Sequence, residues 1–402
     1  WAVDALVLAG GRPVKSDFLP PISPDAIGSL FYPKSIAMVG ASAQLGKWGH
    51  FLMINTISGG FKGRLYPVNP KGGTLIGRNV YRSVAEIPDE IDLAVVTIPA
   101  DKVLQLIPQF REKGIRNMLL ITSGFSETGD HGRQLEKDLV KAAQQAGILV
   151  LGPNTMGIAN PHHNLYCTGS PVMPHPGSTA MVAQSGNMGI QLLAFAEQQG
   201  IGIRAFCGSG NEAMMTIEDY LDGFEVDSLT RTVILYIESV KNGRRFFEGA
   251  RRVGRKKPIV LLKGGRSKAG NRAAASHTGA MTSDIQIFDA VCRQAGIVRA
   301  EKPMDLLDLA AAFSSLPLPE GNRAAIVTLG GGWGVVTADL CAEFGLDVPE
   351  LSAELIAKMD AMLPAYWSRS NPIDLVGDRD PSIPMTALAA LAKWDGCDGV
   401  IN

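Results

Sequence analysis

The sequence has few aromatic residues (6%), few cysteines (five in 402 residues) and almost no net charge (−1 at pH 7). The near-zero net charge gives no reason to expect nucleic acid or a membrane surface as a partner. The cysteines are scattered, with no CxxC pair or metal-like cluster, so we expect free thiols and no metal site. The chain also lacks an apolar run of transmembrane length and a signal-peptide pattern. We therefore expect a cytoplasmic protein.

Glycine, in contrast, is abundant, with 45 residues that cluster after strand-like apolar runs. This is how α/β nucleotide-type folds use glycine. Apolar strands alternate with amphipathic helices in two complete rounds, within 35–151 and 178–262, and a third round begins at Arg323. Such alternation predicts α/β domains, each built on a parallel sheet that helices cover on both faces.

Length and linkers set the expected domain boundaries, because 402 residues exceed one ordinary core. Pro-rich linkers lie at 13–24 and 316–321. We predict four segments: 1–24, a strand with its linker; 25–160, a Rossmann-like domain; 161–316, a flavodoxin-like domain; and 317–402, a second flavodoxin-like domain that is incomplete.

The loop Gly40–Gly49 follows the first strand of the first round and precedes a helix. Ligands of open α/β sheets bind at such strand ends, where helix N-termini point at anionic groups. The next strand ends in Asn69, Pro70 and Lys71 rather than the acidic residue that NAD requires. Lys71 suits a ribose phosphate, as in NADP or coenzyme A. The alternative is a structural loop with a surface lysine.

The second round repeats this arrangement with Gln184–Gly189. Its backbone N–H groups and the Ser185 hydroxyl form a plausible phosphate cradle. A tight strand-to-helix turn that merely requires glycine is the alternative.

His277 lies among small residues in the segment 273–281. Its imidazole titrates near neutrality and is nucleophilic when neutral, so it could accept and release a phosphoryl group. Glu238 ends the strand before the one that leads into this segment, and its carboxylate could bind one imidazole nitrogen. Alternatively, Glu238 pairs with Lys241, Arg244 or Arg245.

Seven motifs occur together in a fixed order, namely Ile36–Ser42, Tyr66–Lys71, Ile121–Phe125, Gly152–Asn154, Gln184–Asn187, Tyr236–Glu238 and Ser276–Ala280. In this order they resemble the motifs of the ADP-forming (NDP-forming) acyl-CoA synthetases, the superfamily of succinyl-CoA synthetase and ADP-forming acetate–CoA ligase. The resemblance covers the chain from about Phe31 onward.

The resemblance implies a role for each candidate residue. His277 would be phosphorylated transiently, with Glu238 as its carboxylate partner, and segment 161–316 would be the succinyl-CoA ligase-like domain. The phosphate site would consist of Ser185, Gly186 and Asn187. The coenzyme A site in the first domain would consist of Gly40, Ala41, Ser42, Lys71, Pro99, Thr122 and Ser123.

The resemblance also implies the reaction and the partners. A small carboxylic acid, CoA and ATP would give acyl-CoA, ADP and phosphate through phosphohistidine and an acyl phosphate. ATP and Mg²⁺ would bind an ATP-grasp domain or subunit, whose terminal strand the first eight residues resemble, and relatives form homo- or hetero-oligomers. Met281 and Thr282 depart from the family's small apolar residues, and we expect Gly330–Gly334 and Asn371–Asp374 to be structural.

Two rival functions stay open. One is a non-catalytic CoA sensor or acetyltransferase-linked relative, although such proteins tend to lose the histidine. The other is an NADP-dependent oxidoreductase, which would explain Lys71 and leave the second glycine loop and His277 without a purpose.

Overall fold

The computed structural model describes residues 19–270, 272, 285–377 and 380–402. The chain divides into two compact units, Trp1–Ser315 and Leu316–Asn402, so the division falls at the predicted linker. No helix within the described ranges is both long and apolar enough to cross a bilayer. The predicted strand at the start of the chain and His277 lie outside the described residues.

The first part of the larger unit contains a five-stranded parallel sheet with the order β2-β1-β5-β6-β7. Its inner strands are buried along their whole length, as expected for a sheet that is covered on both faces. In chain order the elements are α1 (Pro24–Phe31), β1 (Ser35–Val39), α2 (Trp48–Ser58), β2 (Arg64–Val68), β3 (Thr74–Leu75), β4 (Arg78–Asn79), β5 (Leu93–Val96), α3 (Ala100–Val103), α4 (Leu106–Lys113), β6 (Asn117–Leu120), α5 (Asp130–Ala146) and β7 (Leu149–Leu151).

The structure has two helices where the sequence predicts one. The apolar pattern predicts a single helix over 100–113, and the structure has α3 and α4 with a break between them. Pro108 lies in the first turn of α4. Proline lacks an N–H and clashes with the carbonyl four residues earlier, so it is tolerated in a first turn but not inside a helix.

The second part of the larger unit contains a seven-stranded sheet with the order β14-β13-β12-β10-β11-β8-β9. Five strands are parallel, and an antiparallel hairpin, which spans the predicted boundary at residue 160, forms one edge. The elements are β8 (Gly157–Asn160), β9 (Leu165–Thr168), β10 (Pro176–Ala183), α6 (Gly186–Gln198), β11 (Ile203–Gly208), α7 (Ile217–Val226), β12 (Thr232–Ile237), α8 (Gly243–Gly254), β13 (Ile259–Lys263), α9 (Ile285–Ala295), β14 (Ile297–Ala300) and α10 (Pro303–Ser315).

The smaller unit contains a three-stranded parallel sheet with the order β16-β15-β17. The Asn371 side chain is hydrogen-bonded to the backbone of the central strand and of Pro349. It accepts from Ile326 N (2.9 Å) and donates to the carbonyls of Ala324 and Pro349 (both 3.0 Å). These bonds support the structural role expected for Asn371. The elements are β15 (Ala324–Thr328), α11 (Gly331–Glu343), α12 (Ala353–Asp360), β16 (Ile373–Asp374), α13 (Ser382–Leu391) and β17 (Gly399–Ile401).

Candidate functional site

A cavity of about 680 Å³ lies where the carboxyl ends of strands from both sheets of the larger unit meet. Its size is within the range of roughly 300–1,000 Å³ that is typical of pockets for small molecules and cofactors. Loops that follow β1, β2, β5, β6, β7 and β10 all contribute to it. The lining residues are Gly40, Ser42, Lys47, Trp48, Gly49, Asn69, Thr97, Ile98, Pro99, Ile121, Thr122, Ser123, Asn154, Thr155, Met156, Gln184, Ser185, Gly186 and Asn187.

The loop after β1 depends on two glycines that allow the backbone to approach itself closely. Gly40 has a φ of +95°, and a Cβ there would lie 2.5 Å from the Thr97 hydroxyl. A Cβ on Gly49 would lie only 2.1 Å from the Gly40 carbonyl oxygen. Lys47 precedes α2 and no side chain caps this helix. The first N–H groups of α2 therefore have no side-chain acceptor at the cavity, which suits an anionic ligand.

The turn after β10 is much shorter and its side chains are already bonded. Ser185 is the N-cap of α6 and accepts from Met188 N at 3.5 Å. The helix begins at Gly186, where a Cβ would lie 2.1 Å from Cγ of Met156. The N-terminus of α6 thus faces the same cavity as the N-terminus of α2, at a point where the backbone lies against a neighbouring side chain.

Gln184 connects this turn to Glu238 at the end of the adjacent strand β12. Its Oε1 accepts from the backbone N–H groups of Glu238 (2.6 Å) and Ser239 (3.0 Å). Its Nε2 donates to the Ser239 carbonyl at 2.8 Å. These bonds fix the orientation of the amide and place the buried residue Glu238 directly beside the turn that follows β10.

The structure does not support the alternative that Glu238 pairs with Lys241, Arg244 or Arg245, because these three cations bind other groups. The carboxylate instead accepts from the Tyr236 hydroxyl at 3.2 Å. Lys241 donates to the carbonyls of Asn211 and Glu212, Arg244 pairs with Glu248, and Arg245 pairs with Asp219 and Asp222.

The chain leaves β13 toward His277 immediately beside Glu238. Gly264 N donates to the Ile237 carbonyl at 2.8 Å. A Cβ on Gly264 would lie 2.6 Å from the Tyr236 hydroxyl oxygen and 3.1 Å from Cγ of Glu238. Only a residue without a side chain can pass here unless its neighbours move, so the chain leaves β13 at Gly264 directly beside the Glu238 side chain.

Glu212 is a second buried acidic residue, and it lies beside Gln184. Burial raises the pKa of its carboxyl group to about 7, and the nearby Lys241 partly opposes the effect. Its Oε1 accepts from the Ser209 hydroxyl at 2.7 Å. Lys241 donates to the backbone carbonyl of Glu212 and not to its carboxylate.

Eight of the twelve candidate residues line the cavity, namely Gly40, Ser42, Pro99, Thr122, Ser123, Ser185, Gly186 and Asn187. Of the others, Ala41 is buried, Lys71 is exposed outside the lining, and Glu238 is buried at the neighbouring strand end. His277 is outside the described residues.

Several lining residues were not singled out from the sequence, including Lys47, Trp48, Met156 and Gln184. Lys47 and Trp48 lie in the loop Gly40–Gly49 and Gln184 lies in the motif Gln184–Asn187, so their place in these glycine-containing turns was the available signal. Met156 had no such signal, because an apolar residue in a loop gives no hint of the cavity that it faces. Among the described residues, no group of three or more His, Cys, Asp or Glu side chains could hold a metal ion.

Two family models match the chain, and both lie within the larger unit. A CoA binding domain matches residues 34–161, and a succinyl-CoA ligase-like flavodoxin domain matches residues 176–313. The alpha subunit of ADP-forming acetate–CoA ligase I from Pyrococcus furiosus is 41% identical over 88% of this chain and 78% of that subunit. The chain belongs to the ADP-forming acyl-CoA synthetases. Members of this family are acid–thiol ligases, and membership decides against the NADP-dependent oxidoreductase.

Other relatives agree with this assignment. The alpha subunit of the second ADP-forming acetate–CoA ligase of Pyrococcus furiosus is 38% identical over 86% of this chain and 75% of that subunit. The acetyl-coenzyme A synthetase 1 of Ca. Korarchaeum cryptofilum, solved with phosphate and ADP, superimposes with a TM-score of 0.89 at 36% identity and covers 93% of this chain and 81% of that one. The ADP-forming acetate–CoA ligase of Methanocaldococcus jannaschii is longer, since this chain covers 49% of it at 37% identity.

Proposed function

We propose that this chain is the CoA-binding and phosphohistidine-bearing part of an ADP-forming acyl-CoA synthetase. The complete enzyme would convert a small carboxylic acid, CoA and ATP to acyl-CoA, ADP and phosphate. One observation carries the proposal: candidate CoA residues from the first sheet and candidate phosphate residues from the second line a single cavity. When a thioester forms from an acyl phosphate, the CoA sulfur and the departing phosphate group must both lie at the acyl carbon.

The first sheet supplies the CoA site. The Gly40–Ser42 loop and the N-terminus of α2 would hold a phosphate of CoA, with Lys47 as the cation among the lining residues. Pro99, Thr122 and Ser123 would form the opposite wall. Lys71, two residues beyond the cavity-lining Asn69 and exposed, would bind the ribose phosphate at the rim.

The second sheet supplies the phosphoryl site. A nitrogen of His277 would attack the γ-phosphorus of ATP, forming a P–N bond as ADP leaves, and Glu238 would stabilise the charged ring. The substrate carboxylate would then attack phosphorus, breaking the P–N bond to give the acyl phosphate. Ser185, Gly186 and Asn187 would hold the phosphate group until the CoA sulfur displaces it from the acyl carbon.

The nucleotide site lies in a partner. ATP and Mg²⁺ would bind an ATP-grasp domain or subunit. The names of two relatives, which are alpha subunits, and the greater length of the single-chain relative support this division. We expect a homo- or hetero-oligomer in the cytosol, where the five free cysteines would stay reduced.

Phosphohistidine formation tests the proposal. The complete enzyme, with its ATP-grasp part, is incubated with Mg²⁺ and γ-labelled ATP, and we expect a label that is acid-labile and base-stable. His277→Ala should abolish it. If the wild-type enzyme takes up no such label but still binds CoA, the chain is a CoA sensor and His277 is structural.

A further inference from the structure

The strand that ends in Glu238 contains a hydroxyl group whose role the reaction outlined above does not assign. Tyr236 lies two residues earlier on β12, so its side chain is on the same face of the sheet as that of Glu238. Its hydroxyl donates to Oε1 of Glu238 at 3.2 Å. The ring is half-buried against the core cluster beneath α6 and α10. The hydroxyl is therefore held by packing at one end and bonded to the carboxylate at the other.

Tyr236 also borders the start of the His277 segment. A Cβ at position 264 would approach its hydroxyl oxygen more closely than any other atom, at 2.6 Å. The Tyr236 hydroxyl, the Glu238 carboxylate and the backbone of Gly264 thus form one small cluster. Moving the hydroxyl would change the position of the carboxylate relative to the segment that begins at Gly264.

The hydroxyl is a donor over the whole neutral range, because burial and the adjacent Glu238 raise the pKa of Tyr236. Two further groups among the described residues lie beside Glu238. Lys263, buried on β13, donates to the Glu238 backbone carbonyl at 2.6 Å, and burial lowers the pKa of its ammonium group. Gln184, at the end of β10, is an uncharged amide that binds the backbone of Glu238. Among these groups, Tyr236 is the one that binds the carboxylate itself.

We propose that Tyr236 is a positioning residue, whose hydroxyl group fixes the Glu238 carboxylate in the orientation required for phosphoryl transfer through the histidine. The proposal rests on the proposed function, since it assigns Tyr236 to the step in which Glu238 assists His277. Gln184 holds the strand end and Tyr236 holds the side chain.

Tyr236→Phe tests the proposal, because it removes one oxygen atom and keeps the ring. We expect phosphohistidine formation from MgATP in the complete enzyme to be about tenfold slower, the usual effect of losing a hydrogen bond to a charged group. The carboxylate loses a hydrogen-bond donor that favours its charged form. The rate constant for labelling should therefore fall while the KM for MgATP stays unchanged, because the hydroxyl lies at the Glu238 carboxylate and the nucleotide binds the ATP-grasp part.

The matched control is Tyr66→Phe. Tyr66 is also half-buried and donates to a carboxylate, that of Asp89, but it lies on β2 outside the cavity lining. We expect its labelling rate and its KM for MgATP to match those of the wild type. A double-mutant cycle adds a second readout, because Tyr236→Phe should have little further effect in a Glu238→Gln background if the hydroxyl acts through that carboxylate.

The outcomes separate this inference from the proposed function. Absence of label in the wild type would contradict the proposed function. Normal labelling of the wild type, with Tyr236→Phe showing the same labelling rate, would overturn the positioning role alone. Additive effects of Tyr236→Phe and Glu238→Gln would also overturn it, since the ring would then act by packing.

Discussion

The two strand-to-helix turns that face the cavity look alike in the sequence but are built differently. After β1 the chain runs through the loop Gly40–Lys47, which is exposed from residue 43 onward, before α2 begins without a side-chain cap. After β10 only Gln184 and Ser185 precede α6, and both side chains are hydrogen-bonded. The open turn leaves room and free donors for a large ligand, whereas the short turn can hold a small anion at one place. The difference supports CoA at the first turn and phosphate at the second.

The largest expected effect is that of Gly49→Ala, which alters the first turn and leaves the second unchanged. Gly49→Ala would place a Cβ 2.1 Å from a backbone oxygen of the first turn, which cannot move aside as a side chain can. Overpacking of this kind costs about 1–3 kcal/mol. We expect CoA affinity, measured by calorimetry, to fall at least about tenfold, while ATP still labels His277.

Gly28→Ala is the control, because a Cβ at that position has no atom within 4 Å. An affinity of Gly49→Ala within about twofold of the wild-type value, or a loss of both CoA binding and labelling, would remove the distinction between the turns.

Near the second turn, we expect the free energy of unfolding to depend on pH through Glu212, which is buried beside Gln184. The folded-state pKa of Glu212 is about 7, whereas that of an unfolded glutamate is roughly 4.3. Between these values the native state keeps a proton that the unfolded chain releases, so this residue lowers the free energy of unfolding by up to about 3 kcal/mol as the pH rises from 4 to 8. Glu212→Gln should not show this fall in the free energy of unfolding, because the glutamine side chain does not titrate.

Thermal or urea unfolding at pH 5 and pH 8 checks the effect. The variant should gain stability relative to the wild type at pH 8 and much less at pH 5. Equal stability differences at both pH values would mean that Glu212 does not titrate in this range.

Gly186→Ala tests the second turn directly. The added Cβ would meet Cγ of Met156, a side chain that can rotate away at some cost, so the effect should be smaller than at Gly49. We expect phosphohistidine formation to be about fivefold to tenfold slower with CoA affinity preserved. Loss of CoA affinity with normal labelling would reverse the assignment of the turns.

Lys47→Ala should have the smallest effect. Lys47 is exposed, so the attraction between its ammonium and a CoA phosphate is screened by salt. We expect CoA affinity to fall about twofold to fivefold at low ionic strength and the difference to shrink at high salt. Lys137→Ala, which removes an exposed lysine from α5, is the control and should leave CoA affinity unchanged.

Most parallel strands of both sheets could be predicted from the sequence because they are continuous apolar runs. β12, for example, occupies 232–237 as expected. The hairpin of β8 and β9 was missed, because its strands are short and hold small and polar residues such as Asn160 and Thr168. These side chains are buried by tertiary contacts that no local pattern shows.

The site residues could be predicted where a local sequence pattern identifies them. They could not be predicted where they depend on contacts that only the fold creates. Gly40, Ser185 and Gly186 follow strands and therefore had to lie at a sheet edge. Nothing in the sequence places Met156 against Gly186, or Tyr236 against Gly264, because these contacts join residues on separate strands and loops.

The most direct test of the account is a structure of the complete enzyme with CoA and phosphate bound. We expect CoA along Gly40–Ser42, Pro99 and Thr122, and phosphate at the N-terminus of α6 beside Ser185 and Gly186, both within the one cavity. CoA bound elsewhere, or phosphate held apart from it by the width of a domain, would contradict the claim that the two turns serve one reaction centre.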